Sequence, residues 1–166
     1  MTNQTDGESS YAESKIEELR NKLYEYEKQI GFTVKSDNNE GIRLLTATRS
    51  ELEKMSSEDC GYAAYALTQY VIYLQKMVNY EETTVNWCES AINFVVGKKI
   101  SQYNAYSFNE KRMLVINDDN FAKEVLRVQI AAKSKVDSMS FIINKVQGLA
   151  NILVNLQQNK KTNRYG

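Results

Sequence analysis

The sequence predicts an all-α fold: a long antiparallel helical hairpin of the coiled-coil type with an N-terminal helical extension, assembled into an oligomer. Three observations lead to this prediction. The 166 residues include no proline, so long helices can run without interruption. Two long segments carry apolar residues at alternating steps of three and four, which is typical of a helical seam. Each of these seams is interrupted by a single charged residue.

Residues 1–30 are interpreted as a tail followed by a short coiled-coil helix. Ser10 and Glu13 fit a capping box, in which the two side chains satisfy free amides of the first turn. Gly31 is placed to end this helix. A helix so short is marginal by itself, so its seam needs a partner. The seam comprises Ile16, Leu19, Leu23, Tyr26 and Ile30.

Residues 31–56 are interpreted as a linker that contains one short helix, near residues 49–55. The stretch from 31 to 47 is polar and includes two glycines, which favours turns. Residues 57–166 form the predicted hairpin core, which ends in a basic tail. The tail cations are Lys160, Lys161 and Arg164.

The two long helices of the hairpin are defined by their seams. The first is predicted to run from Ser57 to about residue 100. Ser107 and Glu110 form another capping-box pattern, which would let the second helix begin early and weaken around residues 117–120. The sequence leaves open whether residues 101–120 are loop or helix. The first seam is Ala64, Leu67, Val71, Leu74, Val78, Glu81, Val85, Cys88, Ile92 and Val95. The second seam is Phe121, Val125, Val128, Ala132, Lys135, Met139, Ile142, Val146, Leu149, Leu153 and Leu156.

The charged residue of each seam predicts the register of the hairpin. In an antiparallel pair the numbers of facing residues have a constant total, and a total of 216 aligns the apolar residues of both seams. The same total sets Glu81 opposite Lys135. A shift of one heptad would bury each charge alone, at a cost of several kcal/mol. We therefore predict that Glu81 and Lys135 are adjacent and specify the register, although a second chain could supply the facing helix instead.

The composition argues against an enzyme and favours a binding or scaffold protein. There is no histidine, and no serine or cysteine has a histidine base to activate it. Cys60 and Cys88 are expected to be buried structural residues. No run of 18 apolar residues is present, and the first ten residues lack a signal-peptide pattern, so a cytoplasmic protein without membrane contact is expected. No catalytic residue, cofactor, metal site or small-molecule substrate is expected.

Charge is distributed unevenly along the chain, although Lys+Arg and Asp+Glu both number 21. Residues 1–59 carry 13 acids and 8 bases, net −5, and residues 60–96 carry 3 acids and 1 base, net −2. Residues 97–166 carry 5 acids and 12 bases, net +7. This asymmetry indicates either an anionic partner for the basic end or neutralisation of that end by the acidic N-terminus of a neighbouring subunit.

The bend of the hairpin and its flanks are the one candidate site. Cations interleaved with aromatic residues can bind single-stranded nucleic acid, because bases stack on rings while phosphates pair with cations. The alternative interpretation is structural: Tyr103, Tyr106 and Phe108 cap the hairpin core, and Lys98 and Lys99 complement a helix C-terminus. The predicted binding residues are Lys98, Lys99, Tyr103, Tyr106, Lys111, Arg112, Lys123 and Arg127.

The segment from residue 62 to residue 160 combines features of a known family. Its residues are the run Tyr62-Ala63-Ala64, then Tyr70, Tyr73, Leu74 and Lys76, a basic-aromatic turn, and a last helix that reads VLRVQIAAKSKVDSMSFIINKVQGLANILVNLQQNK at 125–160. This combination resembles the small helical recombination mediators of myovirus-like phages, the UvsY type. The chain departs from that family in carrying an acidic N-terminal extension.

The resemblance implies a function. Members of that family bind single-stranded DNA, assemble as ring-like homo-oligomers of the hexamer class, and help to load a RecA-like recombinase onto strands covered by single-strand-binding protein. It also implies that Lys98, Lys99, Lys111 and Arg112 meet the DNA, and that a phage-encoded protein would act in the host cytoplasm.

Two alternatives of other classes stay open from the sequence. One is a non-enzymatic helical adaptor or inhibitor from a phage or mobile element, which would grip a protein partner through residues 10–30 by helix pairing. The other is a structural assembly component that forms rings or filaments without affinity for nucleic acid.

Overall fold

The computed structural model describes residues 5–32, 34 and 38–162, with side chains from residue 11 onward. No strand occurs among these residues, and the predicted all-α class is confirmed. The helices are α1 (Thr5–Gln29), α2 (Asn39–Leu45), α3 (Arg49–Lys54), α4 (Ser57–Lys99), α5 (Phe108–Asp118) and α6 (Asn120–Thr162), with a 3-10 turn at Ile100–Gln102.

The chain divides into two compact units that share both long helices. Unit 1 comprises Met1–Gly31 and Asn79–Val136, and it holds α1, α5, the C-terminal part of α4 and the N-terminal part of α6. Unit 2 comprises Phe32–Val78 and Asp137–Gly166, and it holds α2, α3 and the remaining parts of the long helices. The division of the sequence after residues 30 and 56 stays a prediction.

Helices α4 and α6 pair in an antiparallel manner, as predicted. In unit 1, Gln129 Nε2 donates a hydrogen bond of 3.4 Å to the carbonyl oxygen of Val85. In unit 2, Ser57 Oγ donates one of 3.1 Å to the carbonyl oxygen of Gln157. The residue numbers of both pairs total 214, two below the predicted 216. The start of α4 at Ser57 is confirmed as well.

The buried stripe of α6 is wider than the predicted seam and displaced from it. Val125, Ala132, Val146 and Leu153 are buried as predicted. Ile142, however, is 39% exposed, and the neighbouring Ile143 is buried in its place. A helix that contacts more than one neighbour buries a wider stripe than a two-stranded seam requires. The buried residues outside the predicted seam are Ala122, Gln129, Ile143 and Ala150.

Helix α1 packs on the hairpin within unit 1, and two details of its prediction are wrong. It begins at Thr5, so the expected cap Ser10 lies inside the helix. Near its end Tyr26 and Ile30 are exposed, whereas Glu27 is buried and accepts a hydrogen bond of 3.1 Å from the Tyr80 hydroxyl. The predicted stop is confirmed, because Gly31 has φ +71°, a left-handed conformation that glycine adopts without strain.

The predicted linker contains two helices rather than one. Helix α3 corresponds to the predicted short helix, and Thr48 and Glu51 form its capping box. Helix α2 was not predicted, because Gly41 indicates a break in a helix. In the fold, a Cβ at residue 41 would lie 2.9 Å from Tyr70 Cβ, so the glycine allows α2 to approach α4 closely and bury Leu44.

The core of unit 1 joins α1 to the hairpin. Ala12 and Ile16 of α1 are buried in one cluster with residues of α4, α5 and α6. Both cysteines of the chain are buried, and burial raises the pKa of the Cys88 thiol to about 11. The cluster comprises Ala12, Ile16, Cys88, Ile92, Val96, Val115, Ile116, Ala122 and Val125.

Candidate nucleic-acid interface

The tip is the segment from Lys98 to Asp119, which joins α4 to α6 within unit 1, and a salt bridge closes it. Lys99 Nζ lies 2.6 Å from Asp119 Oδ2. Asp119 Oδ1 accepts a hydrogen bond of 2.8 Å from the backbone N–H of Ala122 and so caps the first turn of α6. Burial alone would raise the pKa of the Asp119 carboxyl, but Lys99 and the backbone amides hold it below its ordinary value.

Tyr103 is a second structural element of the tip. Its hydroxyl donates a hydrogen bond of 2.9 Å to Asp118 Oδ2, and this bond raises the pKa of Tyr103. The ring packs against the core of unit 1. Two of the predicted binding residues, Lys99 and Tyr103, therefore have contacts that hold the tip in shape, and their role in binding stays a prediction.

Helix α5 forms one side of the tip. The predicted capping box is confirmed: Ser107 Oγ accepts a hydrogen bond of 3.2 Å from the Glu110 N–H, and the Glu110 carboxylate accepts one of 3.1 Å from the Ser107 N–H. Val115 and Ile116 are buried in the core of unit 1. One face of α5 is thus fixed to the core, and the opposite face is open to solvent.

Lys111 and Arg112 lie along the border between these two faces of α5. Arg112 precedes Val115 and Ile116 by three and four residues, so it shares their face, and it is half-buried. Lys111 lies between that face and the exposed Leu114. Within the described part of the chain, neither side chain forms an ion pair or a hydrogen bond. Both cations are therefore available to an anionic ligand.

Three aromatic rings project into solvent at or beside the tip. Tyr106 is fully exposed, and Phe108 is 65% exposed. Phe94, near the end of α4, is 63% exposed, and Lys98 Nζ lies 4.1 Å from its ring centroid in a cation–π contact. Sequence reasoning missed Phe94, although the spacing of four residues from Lys98 signals such a contact on a helix.

The last two predicted binding residues lie in the first turns of α6. Lys123 is half-buried, and no described side chain pairs with it. Arg127 is exposed, and its guanidinium pairs with Glu124 of the same helix. All eight predicted residues belong to unit 1, but Arg127 reaches a phosphate only if its pair with Glu124 opens.

The predicted register pair lies elsewhere in unit 1 and includes a third member. Lys135 Nζ is 3.5 Å from Glu81 Oε1, so the structure brings these two residues together. Arg20 of α1 donates to the same oxygen at 3.1 Å and to Thr84 Oγ1 at 3.1 Å. Arg20 is also the less exposed of the two partners, since its side chain is 38% exposed and that of Lys135 63%. The Glu81 side chain itself is 11% exposed. Sequence reasoning missed Arg20, because nothing in the sequence specifies how α1 is aligned with α4.

A groove of about 600 Å³ passes beside this cluster, between α1, α4 and α6 of unit 1. Its polar lining includes Glu13 and Glu17 as well as Arg20 and Lys135. Glu81 also lines the groove, so three acids face two bases, and the groove offers no net attraction to a polyanion.

The basic tail is only partly described. In unit 2, Lys160 Nζ donates a hydrogen bond of 2.6 Å to the carbonyl oxygen of Glu53 and another to that of Met55. Lys160 thus fastens the end of α6 to the end of α3 rather than extending as a free cation. Lys161 is exposed, and Arg164 lies outside the described residues.

Two features are absent from the described residues. No three or more Asp, Glu or Cys side chains are grouped there in a way that could hold a metal ion. No helix among them is both long and apolar enough to span a membrane.

Comparison with known proteins adds no relative. No protein-family model matches the chain, and neither does any curated protein or solved structure. The likeness to UvsY-type mediators therefore depends on the residues quoted for it and stays a prediction.

Proposed function

We propose that this protein is a non-enzymatic single-stranded DNA-binding protein that holds the strand at the tip. The observation that carries the proposal is the combination of exposed rings with available cations. Phe94, Tyr106 and Phe108 are exposed. Lys98 follows Phe94 by four residues on α4, Lys111 follows Phe108 by three on α5, and Tyr106 lies just before α5. Exposed rings next to cations are the combination by which sequence-tolerant single-strand binders act.

The rings favour a single strand over a duplex. In a duplex the base faces are stacked on one another and closed to a side chain, whereas an unpaired strand presents every face. In this proposal Phe94, Tyr106 and Phe108 stack on bases, and the phosphates pair with Lys98, Lys111, Arg112 and Lys123. Lys99 and Tyr103 maintain the shape of the tip, and Arg127 contributes at its edge.

The larger role that we propose is recombination mediation, and it rests on the family resemblance. A homo-oligomeric ring of the hexamer class would present many copies of a tip that binds the strand weakly by itself. Multivalency raises avidity by orders of magnitude without new contacts. Such a ring, in the host cytoplasm, would hand the strand to a RecA-like recombinase in exchange for single-strand-binding protein.

The test is a fluorescence-anisotropy titration of labelled oligo-dT, with light scattering to give the mass of the protein. We expect affinity to fall steeply between roughly 50 and 200 mM salt, because phosphate contacts release counterions. The variant Lys98→Glu, Lys111→Glu, Arg112→Glu should lose roughly tenfold or more in affinity and show a shallower salt slope. Lys99 is left unchanged, because its bond to Asp119 closes the tip.

The matched control lies in unit 2. Lys145 Nζ is 5.2 Å from the ring centroid of Phe141, which is 64% exposed, so this pair repeats the chemistry of Lys98 and Phe94 away from the tip. The variant Lys145→Glu should bind like the wild type. Equal losses in the tip variant and in this control would refute the assignment of the tip, and no binding by the wild type would refute the function.

A helical adaptor for a protein partner is the second candidate. Tyr26 and Ile30 favour it, because both are exposed near the end of α1, at 58% and 59%. Ala12 and Ile16, by contrast, are already buried in the core of unit 1, so that part of the proposed grip is occupied. Absence of strand binding in the titration would leave the adaptor as the better account.

A further inference from the structure

We infer that the solvent-facing groove of α5 is a pocket for an unstacked nucleobase of the strand held at the tip. This inference rests on the proposed function and deepens it, since it adds base recognition to a surface otherwise argued to bind any sequence. The groove is shallow and open to solvent, with a volume of about 500 Å³, and it lies in unit 1. It is lined by Ala105, Asn109, Glu110, Met113, Leu114 and Asn117.

The lining has the composition of a small-molecule site. Met113 and Leu114 are 47% and 41% exposed, and with Ala105 they are the apolar residues that line the groove. Asn109 and Asn117 are exposed on the same face, one on each side of Met113 along the helix. An apolar surface with a few polar groups at its margin is typical of pockets that bind flat organic ligands.

The charge of the lining determines which part of a nucleotide fits. Glu110 is the single charged residue that lines the groove. Its carboxylate accepts a hydrogen bond from the Ser107 N–H at the start of α5. A phosphate would be repelled by this carboxylate and would find no cation in the groove. A base is neutral, its faces fit the Met113 and Leu114 surface, and its edge can pair with a carboxamide, which both donates and accepts.

The groove is continuous with the proposed interface. Tyr106 and Phe108, both exposed, lie between the groove residues Ala105 and Asn109 in sequence. Lys111 lies one turn before Leu114 and Val115, on the border of the groove face. A strand whose phosphate meets Lys111 would thus have its next base beside Met113 and Leu114, and this is why we assign the groove to the strand rather than to a protein helix.

The experiment compares wild type with the variant Asn109→Ala, Asn117→Ala, using equal lengths of labelled oligo-dT, oligo-dA, oligo-dC and an abasic strand. Both asparagines are exposed and the tip cations are unchanged, so circular dichroism should match the wild type. We expect the wild type to prefer one base by roughly fivefold or more. The variant should lose that preference and keep its affinity for the abasic strand.

A second measurement locates the base directly. A 4-thiothymidine oligonucleotide crosslinked by light to the full-length protein should attach to the peptide that contains Met113 and Leu114. The variant Met113→Glu should lose this crosslink while crosslinks at the exposed rings persist. Its matched control is Phe141→Glu, which adds the same charge at an exposed apolar residue of unit 2 and should preserve the crosslink.

The outcomes separate this inference from the proposed function. Equal affinity of the wild type for all four strands, or crosslinks confined to Phe94, Tyr106 and Phe108, would overturn the pocket and leave the strand-binding tip intact. No affinity for any strand would overturn both. A change in the mass of the protein in Met113→Glu, with strand binding unaltered, would assign the groove to contact between copies and overturn the inference.

Discussion

At the scale of single residues, the cluster around Glu81 shows how much a predicted contact depends on its surroundings. The pairing of Glu81 with Lys135 follows from the antiparallel register, and the two atoms do lie 3.5 Å apart. Lys135 remains 63% exposed, so solvent screens most of its attraction for Glu81. Arg20 is the less exposed partner and also bonds Thr84. The charge on Glu81 is therefore satisfied chiefly from α1.

Because Arg20 is the less exposed partner of Glu81, substitution of Arg20 should reduce stability more than the matched substitution of Lys135. Arg20→Met keeps the aliphatic stem but removes a charged hydrogen bond from a nearly buried acceptor, so we expect a loss of about 1–3 kcal/mol in the free energy of unfolding. Lys135→Met should cost less than about 1 kcal/mol, as exposed pairs usually do. Urea denaturation of both variants measures the difference. A loss in Lys135→Met equal to that in Arg20→Met would contradict the ranking.

At the scale of elements, the sequence predicts helices that carry a periodic apolar pattern and misses features that depend on contact with a neighbouring helix. The seams of α4 and α6 extend over many heptads, so the start of α4 and the hairpin are predicted correctly. The stripe of α1 is displaced near its end, where Glu27 rather than Tyr26 is buried, because Tyr80 of another helix supplies a donor. Helix α2 escapes prediction for a similar reason, since Gly41 has a role that only its distance to Tyr70 explains.

The candidate site follows the same rule. The positions of aromatic and basic residues along the chain are enough to locate the tip, and its capping box at Ser107 is confirmed. The sequence does not show that Lys99 forms a salt bridge with Asp119 or that Tyr103 donates a hydrogen bond to Asp118. It therefore cannot distinguish these two structural residues from exposed ones. Phe94 lies outside the run of residues that looked like a bend, so its exposure is known only from the fold.

The glycines of unit 2 give a prediction at this scale. Gly41→Ala should destabilise the protein by about 1–3 kcal/mol, because the new methyl would lie 2.9 Å from Tyr70 Cβ and must displace α2 from α4. Gly148→Ala is the matched control: it lies in α6 with no atom within 4 Å of the new Cβ. That variant should gain about 0.5–1 kcal/mol from better helix propensity. Thermal unfolding distinguishes them, and a gain in both would show that α2 does not pack closely.

At the scale of the whole molecule, the acidic N-terminal segment is part of a core rather than an appendage. Ala12 and Ile16 belong to the same buried cluster as Cys88, Ile92 and Val125. The interpretation of residues 10–30 as a grip for a partner's helix therefore competes with this packing. The partner that the short α1 seam requires is supplied, at least in part, by its own hairpin.

The two buried cysteines allow this arrangement to be tested in solution. Cys88 lies in the α1-containing cluster of unit 1, and Cys60 is buried in unit 2, so each thiol reports on its own unit. Deleting residues 1–31 removes Ala12 and Ile16 and should uncover the cluster, so Cys88 should react with a disulfide reagent roughly tenfold faster or more. Cys60 should keep its slow rate.

Variants Cys60→Ala and Cys88→Ala assign each reaction rate to one thiol. Unchanged protection of Cys88 after the deletion would mean that α1 does not cover this core, and the exposed α1 would then be free to act as the grip of an adaptor.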